Sequence, residues 1–262
     1  MASDTSALAI VTGASSGIGL ELAKCCARNG FDLLIVADEP EIEQAASTLR
    51  RLGVKVDAVE ADLSTIEGVD KLYLAIGSRP VEALLANAGR GLGKAYLDQD
   101  FASARKVVDT NIIGTIYLIH RVGRDMRDRR RGRILITGSI AGFMPGAYQA
   151  VYSATKAFLD SFSFALRHEV AGDGITVTCL MPGATETDFF ERADLTDTRI
   201  GAVRKDDPAM VAEQGFNAMM QGQGDVVTGW HNKLMTAIAS VTPSDLLARA
   251  HKAMAQPGTA KR

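Results

Sequence analysis

The sequence predicts a doubly wound α/β fold with a parallel sheet and helices on both faces. Two observations carry that prediction. Short runs rich in Val, Ile and Leu alternate with longer segments of helical period, and the runs show little polar alternation, as strands buried on both faces do. A glycine-rich turn also follows the first run and opens the first helical segment.

Strands are expected at 7–12 (ALAIVT), 32–37 (DLLIVA), 54–61 (VKVDAVEA), 81–89 (VEALLANAG), 132–139 (GRILITGS) and 174–183 (GITVTCLMPG). Helices are expected at 17–29, 40–52, 64–78, about 100–129 and about 151–171. This rhythm implies right-handed crossovers and a Rossmann-like sheet. No linker or repeat interrupts it, so residues 1–262 read as one nucleotide-binding domain, with a substrate lid near 186–206 and a variable C-terminal part from 207 to 262.

Composition excludes several classes of function. The chain is 47% hydrophobic and 23% charged with a net charge of -2, so no strong field draws it to nucleic acid or to an anionic membrane. The dense basic run RDMRDRRRGR at 124–133 falls where a helix should end, where cations suit the helix dipole and solvent. Cys25, Cys26 and Cys179 cannot all pair, and the four histidines are scattered, so no metal site is expected. The amino-terminal stretch has no long apolar run, which points to a cytoplasmic protein without a signal or membrane segment.

The turn after the first strand reads TGASSGIG, Thr12 to Gly19. Gly13, Gly17 and Gly19 allow a tight turn and close approach of a pyrophosphate to a helix N-terminus, with Ser15, Ser16 and Ile18 in the same cradle. The second strand then ends in IVADEPE, placing Asp38 nineteen residues after Gly19. A carboxylate there accepts hydrogen bonds from the adenosine ribose and repels a 2′-phosphate, which favours NAD(H) while leaving NADP(H) possible. Glu39 is read mainly as a solvated turn residue.

From Leu8 to Phe190 the chain resembles the short-chain dehydrogenase/reductase family, through TGASSGIG, ADL at 61–63, NAG at 87–89, YSATK at 152–156 and PG at 182–183. The resemblance implies that Asp62 and Leu63 flank adenine, that Asn87, Ala88, Gly89, Pro182 and Gly183 line the cofactor, and that Thr185 and Thr187 contact the nicotinamide carboxamide. Capping of a short helix is the competing role for the two threonines. Tyr152 and Lys156 are four apart, so they share one helix face, where an ammonium can ease ionisation of a phenol whose reference pKa is about 10.

By the same resemblance, Asn111 positions a water for proton relay, Ser139 binds the substrate oxygen, Tyr152 is the general acid or base and Lys156 holds the nicotinamide ribose. The implied reaction is hydride transfer between a nicotinamide and a carbonyl or secondary-alcohol substrate. The alternative is a dinucleotide-binding sensor without chemistry. Substrate-facing segments are expected at 90–93, at 140–149 and after Gly183, where Phe143, Met144, Tyr148, Phe189 and Phe190 suggest a hydrophobic small molecule. The two long helices imply a homodimer or homotetramer by resemblance.

Overall fold

The computed structural model describes residues 7–260, and the sequence reading of the first six residues lies outside them. The first half of the chain alternates strictly: β1 (Leu8–Thr12), α1 (Gly17–Arg28), β2 (Asp32–Ala37), α2 (Ile42–Arg50), β3 (Val56–Glu60), α3 (Ile66–Ile76) and β4 (Val81–Ala86). There follow α4 (Phe101–Val108), α5 (Thr115–Asp128), β5 (Gly132–Thr137), α6 (Ala150–Glu169) and β6 (Ile175–Met181). The remainder is α7 (Phe189–Arg192), α8 (Arg199–Ala202), α9 (Pro208–Met220), β7 (Asp225–Val227), α10 (Trp230–Ala239) and α11 (Ser244–Ala255).

The seven strands form one parallel sheet in the order β3-β2-β1-β4-β5-β6-β7, the expected doubly wound arrangement in a single domain. Alternate residues of each inner strand feed opposite cores. Ala9 and Val11 of β1 pack with Leu22 of α1, Leu49 of α2 and Phe216 of α9. Leu8 and Ile10 pack with Leu72 of α3, Val122 of α5 and Leu159 of α6. Each fully buried leucine contributes roughly 1.5–3 kcal/mol, so strands that are apolar on both faces are what hold both helix layers.

Four features differ from the sequence reading. β3 leaves Asp57 and Glu60 exposed, as an edge strand can, while Val56 and Val59 pack toward opposite cores. β7, a three-residue strand of DVV beyond a glycine, is too short to show a period. The helix expected over 100–129 is interrupted between α4 and α5 by a π-helical stretch, Asp109–Gly114, a distortion common at functional sites. Finally, β4, β5 and β6 stop short of their expected ends. Because the chain leaves the sheet at Ala86, Thr137 and Met181, the segments 87–89, 138–139 and 182–183 form the cleft at the strands' C-terminal ends. Among the described residues no helix is long and apolar enough to cross a membrane.

Candidate active site

One cleft of about 1140 Å³ runs across the C-terminal edge of the sheet. Its floor begins at the glycine turn. Gly13 and Gly17 adopt φ of 63° and 54°, the left-handed region that suits glycine. A Cβ at Gly19 would collide with the Gly13 carbonyl, and one at Gly17 would press on the Thr187 methyl. Ser16 precedes α1 in an extended conformation and makes no side-chain cap. The first backbone bond of that helix is Leu20 N–H to Ser16 O, so the earlier N–H groups are available to an anion.

The turn is braced by β4. Thr12 Oγ1 accepts from the N–H groups of Asn87 and Ala88 at 2.9 and 2.8 Å. Asn87 Nδ2 donates to Thr12 O at 3.2 Å, and Thr137 Oγ1 donates to Asn87 Oδ1 at 3.1 Å. Asn87 thus ties three strand ends together while facing the cleft. Gly13, Ser15, Ser16, Gly17, Ile18 and Gly19 all line it, as do Asp38, Asp62, Leu63, Asn87, Ala88 and Gly89.

Asp38 and Glu39 are less solitary than a solvated turn would be. Arg90 donates to the Asp38 carboxylate, while Glu39 accepts from Ser15 Oγ at 2.5 Å and pairs with Arg192 of α7 at 3.3 Å. The sequence reading of Glu39 as mainly solvated is therefore corrected: a hydroxyl of the glycine turn and a guanidinium from beyond β6 both reach it. Asp62 accepts from Ser64 N–H and pairs with Lys106 at 2.9 Å. These contacts hold its carboxyl down at about 2, against the opposing effect of burial.

The next wall carries Ser139, Tyr152 and Lys156, all lining the same cleft. Lys156 is buried and donates to Thr137 O at 2.8 Å, with its Nζ 5.8 Å from the Tyr152 ring centre. Burial pushes the Tyr152 phenol up to about 12; the neighbouring Ser139 hydroxyl works against this and the Asp160 charge adds to it. The expected lowering by the ammonium is not seen: loss of hydration raises the phenol, and Lys156 is not among the groups acting on it. Burial likewise brings Lys156 down to about 8, with Asp160 opposing.

Asn111 sits in the π-helical stretch and is fully buried behind the cleft wall. Its Oδ1 accepts from Arg90 N–H at 2.7 Å, and its Nδ2 donates to Arg90 O and Thr155 Oγ1 at 2.9 and 3.0 Å. The amide clamps the chain that follows NAG.

The far end of the cleft holds Pro182, Gly183, Thr185 and Thr187. Thr187 Oγ1 accepts from Phe189 N–H at 3.3 Å, a local turn contact at the start of α7, whereas Thr185 Oγ1 donates to Gly183 O at 3.1 Å. The 186–206 segment contains α7 and α8 around a small core of Phe190, Ala193 and Leu195. Its ends are tied by backbone bonds, Glu186 N–H to Asp206 O and Asp206 N–H to Ala184 O.

Of the expected apolar lining, Met144, Phe189 and Phe190 face the cleft; Phe143 and Tyr148 do not. Sequence reading missed Trp230, Met235, His251 and Met254, which line it from α10 and α11. His251 is buried, with Nδ1 on Ala147 O at 2.9 Å. Apolar residues recurring along 230–254 were the available signal.

The short chain dehydrogenase family model matches residues 7–197. An uncharacterized oxidoreductase of Myxococcus xanthus is 32% identical over 248 residues, covering 91% of this chain and 93% of that protein. A short-chain dehydrogenase from Sphingobium yanoikuyae, solved in complex with NADPH, superposes with a TM-score of 0.80 at 25% identity, over 90% of this chain and 96% of that one. The bulky-bulky ketone specific alcohol dehydrogenase from Comamonas testosteroni gives 0.76 at 27% identity, over 90% and 95%. With its doubly wound sheet, glycine cradle and family match over most of its length, this chain belongs to the short-chain dehydrogenase family of oxidoreductases.

Proposed function

We propose that the protein interconverts a carbonyl and a secondary alcohol on a largely apolar small molecule, with Tyr152 moving the proton on the substrate oxygen. The observation that carries this reading is the convergence of Ser139, Tyr152 and Lys156 in one cleft continuous with the glycine cradle. When bound, the nicotinamide supplies the hydride chemistry. Tyr152, protonated at neutral pH, donates to the oxygen as a carbonyl is reduced and recovers that proton in the reverse direction. The Ser139 hydroxyl accepts from Ala141 N–H at 3.1 Å and donates only a long bond, 3.4 Å, to Pro182 O, so its proton can turn toward a substrate oxygen. Lys156 holds the ribose and opposes charge developing on the phenol; Asn111 keeps the chain after NAG in register, beside any water it orders.

The glycine cradle fits a dinucleotide because its close-packed turn, in which a Cβ at Gly13, Gly17 or Gly19 would collide with neighbouring atoms, leaves the first N–H groups of α1 open to the pyrophosphate. Asp38 and Glu39 at the ribose end favour NAD(H), and the guanidiniums of Arg90 and Arg192 moderate that preference, leaving NADP(H) as the second cofactor. Met144, Phe189, Trp230, Met235 and Met254 suit a bulky apolar substrate, in accord with the ketone specificity of the Comamonas testosteroni relative. The 186–206 segment acts as the lid.

A homodimer or homotetramer and a cytoplasmic setting belong to the same reading. An apolar groove between α5 and α6, lined by Ile113, Ile116, Phe162 and Leu166, supports the first, and three free thiols the second.

Fluorescence titration with NADH and NADPH, followed by a panel of ketones and secondary alcohols, tests the reading. Tyr152→Phe should lower turnover by about 10²- to 10⁴-fold while still binding the cofactor. Retention of most activity by that variant, or absence of turnover across the panel, would overturn it.

A further inference from the structure

Asp160 has no part in the chemistry described so far, yet it follows Tyr152 and Lys156 at the same four-residue interval on α6. The three side chains therefore share one helix face. Asp160 is only 6% exposed. Its Oδ1 accepts from Ser139 N–H at 3.3 Å and from the Cys179 thiol at 3.5 Å, while Oδ2 has no hydrogen-bond partner. Room for the carboxylate is made by two glycines: a Cβ at Gly138 would strike Oδ1 and one at Gly142 would strike Oδ2. A buried, half-satisfied carboxylate is costly and calls for a physical reason.

We infer that Asp160 is the counter-charge of the proposed catalytic centre, a positioning residue that fixes Ser139 through its backbone and shares one buried helix face with Lys156 and Tyr152. The inference rests on the oxidoreductase reading above for its significance, and on the packing of α6 for its geometry. Lys156 is buried, and its one hydrogen-bond partner among the described residues, Thr137 O, is neutral. The carboxylate acting on that ammonium comes from one turn further along the same helix.

The groups facing Asp160 are Lys156 and Tyr152 on its own helix, Cys179 on β6, and the Ser139 N–H beyond β5. Burial pushes Asp160 up to about 6, with Lys156 opposing. The signs are consistent. A negative charge here raises both Lys156 and Tyr152, so removing it lets both lose their protons at lower pH.

Asp160→Asn keeps an oxygen for Ser139 N–H and removes the charge. In protein labelled with ¹³C-lysine, the Lys156 side-chain resonance is assigned by its loss in Lys156→Arg and titrated without substrate. Its midpoint should fall by on the order of one pH unit in Asp160→Asn, and the alkaline limb of carbonyl reduction should move to lower pH with it. An unchanged midpoint and a uniformly lowered, unshifted pH profile would assign Asp160 a structural role only and overturn the inference. Should Asp160→Asn not fold, the wild-type protein decides: the Lys156 resonance must report a second titration near pH 6, from Asp160, and its absence overturns the inference. Tyr152→Phe turnover tests the catalytic reading separately, so the two can fail independently.

Discussion

Through the first two thirds of the chain, six candidate site segments lie within two residues of a strand's C-terminal end: Gly13 after β1, Asp38 after β2, Asp62 after β3, Asn87 after β4, Ser139 after β5 and Pro182 after β6, while Tyr152 and Lys156 are carried by α6. The wall made by residues 186–260 has a different construction. Short helices, one isolated bridge between Thr185 and Asp206, and side chains from α10 and α11 enclose the same cleft without regular register to the sheet. Asn232 shows how that wall is held. It donates to Thr228 O and Asp206 Oδ2 and lies so close to Gly183 that a Cβ there would overlap it. In the first region strand ends and backbone geometry shape the cleft; in the second, side-chain packing shapes it. Substitutions should divide accordingly, with backbone changes in the first region acting on every substrate and side-chain changes in the second acting selectively.

The largest effect that probes this division belongs to Gly19→Ala. The added methyl meets the Gly13 carbonyl and Asn87 Nδ2 with no space to relax. Overpacking of this kind costs about 1–3 kcal/mol, equivalent to roughly ten- to a hundredfold in dinucleotide affinity. Fluorescence titration should show NADH and NADPH weakened together. Selective loss of one cofactor would mean that the cradle reads more than the shared pyrophosphate.

A smaller, directional effect is expected at the end of β2. Asp38→Ala removes one carboxylate from the proposed ribose position, and the Coulomb interaction with a 2′-phosphate is about 1–2 kcal/mol in water. The ratio of NADPH to NADH dissociation constants should fall by about tenfold. Arg90→Ala should shift the ratio the opposite way, since it removes the guanidinium that pairs with Asp38. Parallel changes in the two variants, or none, would break the case for charge-based discrimination.

The same contrast explains what the sequence made legible. Strand positions, sheet class and the glycine cradle were readable because each follows from a local rule: apolar runs buried on both faces, positive φ at Gly13 and Gly17, and four-residue spacing between Tyr152 and Lys156. Asp160 obeyed the same spacing but carried no signal of burial, which depends on Gly138, Gly142 and Cys179 from two other segments. The Glu39–Arg192 pair joins residues 153 apart, and the cleft-facing side of α10 and α11 depends on how those helices dock. No window along the chain contains that information. The raised phenol of Tyr152 was misread for a related reason: the neighbouring Lys156 is visible in sequence, and the loss of hydration that raises the phenol is not.

The smallest expected effect tests where the two regions meet. Arg192 of α7 pairs with Glu39 at 3.3 Å and with Asp188 at 3.6 Å, and it is half exposed, so solvent screens it. An exposed pair is worth about 0.2–1 kcal/mol, which is at most roughly fivefold in an equilibrium. If this contact couples the 186–206 segment to the nucleotide end, Arg192→Ala and Glu39→Gln should each raise KM for the carbonyl by a few-fold, and the double variant should add little to either. High salt should diminish the wild-type advantage, because at about 1 M the screening length is only about 3 Å. Additive effects in the double variant would separate the two residues: Glu39 would then act through Ser15 and the glycine turn, Arg192 through Asp188 within its own segment, and the two walls of the cleft would be energetically independent.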